Sequence, residues 1–410
     1  MRISTLTMFG QSVSSMNRQQ SEFLNVSQQI ASGRRVVNPS DDPQAASRAV
    51  GVDQSLAITQ QYADSRVSAR NSLSQTESVL NSVSDAVTSA KTLMIQAASD
   101  TLSDADRQSV ASELRGVYET LIGQANATDG NGRHLFGGYQ DSTEPFVKQD
   151  GKVKYVGDSN AREQRIDASR LMDVTENGAS IFDSVPSGAG YVATASSGNG
   201  GSVTFKGPQV IDQEEVTPNQ AYTLSFSGDA VSGYTYEVQD GNGTSLIPAI
   251  TGAYDPTSEE PVRIEFGGLA IELQGEPVAG DSIAVNPADQ GNTDLFRTFE
   301  NALAVLENPA QNDADKAALR NTLNTSMREL DNSLDNVLTK RASVGARLNE
   351  LDVVDSVGGN RMLNYEQTLS DLVDLDYAQA ISDYSLRQVG LQASQKTFAD
   401  MKGMSLFNYL

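Results

Sequence analysis

Leu323, Met327, Leu330, Leu334, Val337, Arg341, Val344, Leu348 and Leu351 follow one another at alternating steps of four and three, and eight of these nine positions are apolar. The chain's 38% hydrophobic content gives about three by chance. Near the other end, Leu73, Thr76, Leu80, Val83, Val87, Ala90, Met94 and Ala97 keep the same alternation. A 3-4 step holds side chains on one stripe of a helix, and an apolar stripe needs a second helix to cover it. The two ends of the chain are each other's natural partners, with a differently patterned middle between them.

The extreme ends carry weaker stripes. Leu6, Phe9, Val13, Met16, Gln20, Phe23, Ser27 and Ile30 form one, and Tyr377, Ile381, Tyr384, Gln388, Leu391, Gln395 and Phe398 the other. The first ends at SGRRVVNPSDDP (32–43), where Gly33 can cap the helix end and Ser40 or Asp41 the next helix start. Helical pattern resumes at about Gln44 and runs to Ala98. Ser103 with Asp106 reads as a capping box for a third helix, which carries Val110, Leu114, Val117 and Leu121 on one face and ends near Gly130. The period then becomes two: Val153 and Tyr155; Tyr222, Leu224 and Phe226; Tyr234, Tyr236 and Val238; Val262, Ile264 and Phe266; Leu269, Ile271 and Leu273. Gly267–Gly268 and Asp150–Gly151 are two-residue hairpin turns on this reading, within an antiparallel region of six to ten short strands. Helix returns at about Thr293 and continues past Pro309 into the strong stripe. Gly358–Gly359 is expected to interrupt it, with a last helix from about Asn360 to the C-terminus.

Glycine, proline and charge locate the boundaries. Of 33 glycines, 23 fall between Gly130 and Gly291, and no proline occurs between Pro43 and Pro145 or after Pro309. Residues 1–139 hold 11 basic and 13 acidic residues, 140–290 hold 8 and 23, and 291–410 hold 11 and 17, so most of the net −23 sits in the middle. The fold class is mainly α with an inserted antiparallel β domain, a discontinuous long-helix bundle built from both chain ends. Its expected parts are a terminal helix pair (1–40 with 360–410), a long-helix bundle (41–140 with 291–359) and an acidic β-rich insertion (141–290). An acidic surface argues against nucleic acid as a partner. No apolar run reaches the ~18 residues of a membrane span, and the start has no continuous apolar core of a cleaved signal peptide.

Enzyme chemistry finds no support. The chain has no cysteine, a single histidine (His134), and none of the phosphate-loop, zinc-protease or nucleophile-elbow motifs. His134 reads as structural, and GNGG (198–201) as a turn. Asp129–Gly130–Asn131–Gly132 and Asp240–Gly241–Asn242–Gly243 lack the further ligands of a calcium loop and also read as turns. No catalytic, cofactor-binding or metal site is assigned. The diluted terminal stripes are different, because short helices with polar seam positions gain little from folding alone. Two readings stand: the ends order on joining other subunits, or they form a stable pair in the monomer. On the first, the assembly interface comprises Phe9, Val13, Met16, Phe23, Ile30, Tyr377, Ile381, Tyr384, Leu391 and Phe398.

Several strings carry a resemblance. SGRRVVNPSDDP after an N-terminal helix, GRHLFGGYQDSTEPF (132–146), VRIEFGGLAIELQGEPVAGDSIAV (262–285), LSDLVDLDYAQAISDYSLRQ (369–388) and the ending MKGMSLFNYL resemble the flagellin superfamily, and within it the hook-associated proteins of the hook–filament junction. The resemblance implies a structural axial protein of the bacterial flagellum that adapts the hook to the flagellin filament, with a flagellin-type filament subunit as the alternative. It implies self-association in a ring, another hook-associated protein on the hook side, flagellin on the filament side, and a flagellar export chaperone. It further implies type III export and a secreted, extracellular location at the junction.

Overall fold

The computed structural model describes residues 5–99, 101–186, 188–258 and 260–403. Seven α-helices and twelve strands follow in chain order: α1 (Thr5–Ser32), α2 (Pro43–Ala97), α3 (Asp104–Ala125), β1 (Phe146–Gln149), β2 (Lys152–Tyr155), β3 (Glu163–Asp167), β4 (Arg170–Asp173), α4 (Gly178–Phe182), β5 (Tyr191–Ala195), β6 (Thr204–Val210), β7 (Tyr222–Asp229), β8 (Gly233–Asp240), β9 (Ser245–Tyr254), β10 (Val262–Phe266), β11 (Leu269–Gln274), β12 (Ser282–Pro287), α5 (Leu295–Glu307), α6 (Asp313–Val373) and α7 (Tyr377–Gly403). They form two compact units. One comprises Met1–Arg66 and Val353–Leu410, the other Val67–Asp352.

In the Val67–Asp352 unit, α2 and α6 run antiparallel. The ion pairs Arg70–Asp352, Glu77–Arg341 and Lys91–Asp331 step along both helices in opposite directions. Between them all eight stripe residues from Leu73 to Ala97 are buried. On α6, Leu323, Leu330, Val337, Val344 and Leu351 are fully buried at every seventh position, while Met327, Leu334, Arg341 and Leu348 are only partly covered. Alternate members therefore form the knobs of this seam, and burying each stabilises by roughly 1.5–3 kcal/mol.

A second face of α6 is also buried, and it is polar. Asn321 donates to the Val203 carbonyl (2.8 Å) and accepts from Phe205 N. Asn324 donates to Phe205 O, Thr325 to Ala193 O and Arg328 to Tyr191 O. Asn336 donates to the carbonyls of Ser180 and Ile181. The bonds from Asn321, Asn324, Thr325 and Arg328 serve backbone groups along the edges of β5 and β6, and those from Asn336 serve carbonyls of α4. The strands are thus fastened onto the helix through polar side chains that a stripe of apolar positions does not reveal.

The strands fall into hairpins β1–β2 and β3–β4, a five-stranded sheet in the order β5-β12-β7-β8-β9, and a three-stranded sheet β10-β11-β6, all antiparallel. One core, including Phe205, Leu224, Phe226, Ile264, Phe266 and Val285, serves both larger sheets. Both predicted two-residue turns are present. Phe266 faces Leu269 across Gly267–Gly268, and Gln149 faces Lys152 across Asp150–Gly151. All four turn residues have positive φ, the requirement that makes these dipeptides readable. Twelve short strands exceed the six to ten expected, because β3, β4 and β5 are too short and too mixed to alternate visibly.

Four local expectations are corrected. The helix does not continue past Pro309: α5 stops at Glu307 and α6 begins at Asp313, since proline lacks the N–H the helix interior needs. The helix also does not break at Gly358–Gly359, but passes through both and ends at Val373. The start of α2 is capped by Asp42, whose carboxylate accepts from Ala45 N (3.0 Å), not by Ser40 or Asp41. Asp41 instead accepts from Val37 N and Asn38 N. Finally, α3 ends at Ala125, short of Gly130, while its Ser103–Asp106 capping box is present.

Candidate assembly surface

The unit of Met1–Arg66 and Val353–Leu410 contains the terminal pair α1 and α7. Its helices are joined by two chain reversals that grip each other. Gly33, at φ +69°, ends α1, and its carbonyl accepts from Leu375 N at the break between α6 and α7. A Cβ at Gly33 would stand 2.9 Å from the Tyr377 hydroxyl. Arg35 donates its backbone N–H to Val373 O and its guanidinium to Leu372 O, and also pairs with Asp42. The Ala45 amide and the Arg35 guanidinium hold the Asp42 carboxyl below its usual range. Asp376 caps α7 through the amides of Ala378 and Gln379. Within SGRRVVNPSDDP, Gly33, Arg35, Asp41 and Asp42 thus form a clasp built on backbone groups.

Along the pair, Phe9 lies against Phe398 with ring centroids 5.1 Å apart, and Phe23 against Tyr384 at 4.9 Å. Glu22 pairs with Arg387 between these ring contacts. Fourteen residues forward on α1 match fourteen backward on α7, the register of an antiparallel pair. The interposed layer is polar and small: Gln11, Ser12, Ser15 and Gln19 face Gly390, Ala393, Ser394 and Thr397 around a cavity of about 510 Å³. Gln19 Oε1 is buried there with no hydrogen bond among the described residues.

Of the ten candidate interface residues, Val13, Met16, Phe23, Ile30, Tyr384, Leu391 and Phe398 are half-buried in this unit. Phe9, Tyr377 and Ile381 are exposed. The polar seam positions differ from the sequence reading. Gln20, Gln388 and Gln395 point to water and Ser27 is half-covered, while the inward layer uses Ser12, Gln19 and Val26 on α1 and Ala380 and Ser394 on α7. Every-seventh residues were legible, and the intervening positions are displaced by one. Leu6 and the closing SLFNYL lie outside the residues whose side chains are described.

Exposed apolar residues that belong to no intramolecular seam complete the surface. On α7, Leu386 is 73% and Val389 65% exposed, and Ile381 is exposed as well. Leu24 on α1, Val50 on α2, and Val353, Val357 and Leu363 on α6 are likewise open to water. Their sequence signal was that they fit neither stripe, which identifies what is left over but not why. Exposed large apolar residues are denser in this unit than in Val67–Asp352. The unit is also nearly balanced in charge, with ten basic and twelve acidic residues, whereas Val67–Asp352 holds 20 and 41. Among the described residues no group of His, Cys, Asp and Glu side chains is arranged to hold a metal ion, and no helix is long and apolar enough to cross a membrane.

Comparison with known proteins agrees with this architecture. Residues 3–141 match the bacterial flagellin N-terminal helical region. The flagellar hook-associated protein 3 of Escherichia coli K12 is 34% identical over 408 residues, covering 99% of each chain. The crystal structure of Xanthomonas campestris FlgL superimposes with a TM-score of 0.67 at 28% identity, covering 78% of this chain and 99% of that one. The flagellar junction protein FlgL of Legionella pneumophila gives 0.67 at 25% identity, covering 80% and 100%. Helices from both chain ends around an inserted antiparallel β region therefore define a flagellin-like structural protein of the bacterial flagellum, not an enzyme. More particularly, the chain belongs to the flagellar hook-associated protein 3 family, the structural proteins of the hook–filament junction.

Proposed function

We propose that the near-neutral terminal unit is the surface through which copies of this chain join into a ring. The ring lies between another hook-associated protein on its hook side and flagellin on its filament side. The observation that carries this reading is the exposure of Leu386 and Val389 on α7, which also carries the exposed Ile381. Water-exposed apolar groups on a unit of low net charge gain by association, and little net Coulomb repulsion opposes it. Within the ring, 1–40 with 360–410 serves as the terminal helix pair, 41–140 with 291–359 as the long-helix bundle, and 141–290 as the acidic β-rich insertion. The candidate residues from Phe9 to Phe398 belong to the assembly interface together with Leu24, Leu386 and Val389, and the half-buried ones among them also hold the pair together.

The chain reaches this place by flagellar type III export, with a cytosolic chaperone covering the C-terminal helix until passage, and works outside the cell. The half-polar α1–α7 layer supports such a route, since a weakly held pair opens readily. The test is complementation of a strain lacking the protein with Leu386→Asp/Val389→Asp. Normal export, hooks without filaments and flagellin shed into the medium are expected. Motile cells with full filaments from the doubly substituted chain would refute the assignment of this surface.

A further inference from the structure

Four Asn–Gly steps occur in the chain: Asn131–Gly132, Asn177–Gly178, Asn199–Gly200 and Asn242–Gly243. Asn–Gly is the step at which the following amide nitrogen most easily reaches the asparagine side chain, because glycine offers no Cβ to obstruct it. Whether it does so in a folded protein depends on how firmly the side chain and that amide are held.

Two of the steps are locked. Asn199 uses both ends of its side chain, donating to Ser282 O and accepting from Ser282 N, each at 2.9 Å. Gly200 N is held by the buried carboxylate of Asp281 at 2.8 Å. Asn177 caps α4 by accepting from Ser180 N and donates to Ser159 O. Gly178 is itself buried, its N–H held by Phe136 O.

The other two share one geometry. In each, an aspartate carboxylate accepts from the amides two and four residues on: Asp129 from Asn131 and Arg133, Asp240 from Asn242 and Thr244. The glycine sits at φ +79° in both, and in both its N–H donates to the aspartate carbonyl at 3.0 Å. Asparagine and glycine are exposed in both turns. The Asn131 side chain still interacts with the Asp129 carboxylate. That of Asn242 makes no hydrogen bond among the described residues.

We propose that Asn242 is a site of spontaneous deamidation, with Asn131 a slower second site, while Asn177 and Asn199 are protected by the fold. Solvent base takes the proton of Gly243 N, and the nitrogen attacks Asn242 Cγ. The C–N bond to the side-chain amide breaks, and ammonia leaves with a proton from solvent. Water then opens the five-membered succinimide at either carbonyl, leaving aspartate or isoaspartate. The net change is amide plus water to carboxylate plus ammonium. In the isoaspartate product the backbone runs through the former side chain, so the bonds that Asp240 makes to residues 242 and 244 no longer fit the β8–β9 turn. Conversion also adds a negative charge to a region that already has 23 acidic against 8 basic residues.

The test is peptide mapping by mass spectrometry of the intact full-length protein after prolonged incubation in mildly alkaline buffer. Succinimide, aspartate and isoaspartate are quantified at all four steps, and a urea-unfolded sample runs in parallel. The unfolded sample should convert at all four steps at similar rates. The folded protein should convert at Asn242 first and Asn131 next. The locked steps should lag on the order of tenfold or more, since two side-chain hydrogen bonds must break before attack. Asn242→Gln should remove the first product and leave the other three steps unchanged. Conversion at Asn199 or Asn177 as fast as at Asn242 would overturn the proposal. So would an unreacted Asn242 in folded protein whose unfolded counterpart reacts.

Discussion

Arg66 lies across the backbone of Gly358, with its Nη2 only 2.6 Å from where a Cβ on that glycine would stand. The arginine is 1% exposed and its Nε donates to Asp355, one turn of α6 away. A guanidinium buried and paired in this way gives up packing and its bond to Asp355 if it swings aside. The glycine is therefore a notch for an ion pair, which explains why the helix runs through it unbroken.

A paired prediction follows for the two glycines. Gly358→Ala should destabilise the protein by about 1–3 kcal/mol, although alanine is the better helix former, because the added methyl displaces Arg66. At Gly359 nothing lies within 4 Å of the would-be Cβ, and Gly359→Ala should stabilise by about 0.5–1 kcal/mol. Urea unfolding of both variants checks the opposite signs. Equal stabilisation by both would show that the notch does not matter.

Asp294 caps α5, accepting from Phe296 N and Arg297 N, yet burial pushes its carboxyl up from 3.8 to about 6. Asp183 and Glu300 push the same way, while the two amide bonds oppose them. A carboxyl whose pKa is higher in the folded than in the unfolded state disfavours folding at neutral pH. That penalty disappears as pH falls through about 6 towards 3.8. Burial likewise raises the nearby Glu329 carboxyl, which Asn292 and Thr298 serve as donors. Asp294→Asn keeps a side-chain oxygen for the cap and should add about 1–3 kcal/mol at pH 7, discounted for partial exposure. Its advantage over the parent should vanish near pH 4 in unfolding curves measured across that range, and an advantage independent of pH would contradict the assignment.

The polar face of α6 sets two of its buried asparagines apart. Asn321 serves both Val203 O and Phe205 N, whereas Asn332 Nδ2 is buried without a hydrogen bond among the described residues. Asn321→Leu should cost about 2–4 kcal/mol, since two buried backbone groups lose their partner. Asn332→Leu should be close to neutral, since it removes an amide that is already unsatisfied. For the same reason, replacing residues 186–285 by a short linker should lower the melting temperature of the remaining helices, and an unchanged melting temperature would show that the strands contribute nothing to the stability of α6.

Leu330 and Phe398 separate folding from assembly. Leu330 is fully buried in the α2–α6 seam, and Leu330→Asp should cost several kcal/mol, a large share of the ~5–15 kcal/mol of a typical domain. Phe398 is half-exposed, with Phe9 as its aromatic neighbour. Phe398→Asp should leave the main thermal transition of the purified protein unmoved and abolish filament attachment in cells. If both substitutions lower the transition equally, the terminal pair belongs to the cooperative fold of the monomer and the ordering-on-assembly mechanism fails.

The sequence by itself determined what depends on chemistry within a few residues. Leu323, Leu330, Val337, Val344 and Leu351 announce a buried row because helical spacing alone puts them on one stripe. Ser103 with Asp106 marks a helix start, and Gly267–Gly268 a hairpin, because capping and positive φ are local demands. Tertiary structure decided which neighbour satisfied each remaining group. Gly358 reads as a helix breaker until Arg66 occupies the space above it. Asn321 and Asn336 donate to carbonyls at Val203 and in α4, partners that helical spacing does not contain. On α1 and α7, residues spaced by seven were legible. Gln19 rather than Gln20 turns inward because Gly390 opposite leaves room for it, and a helix's own pattern does not contain the surface of its partner.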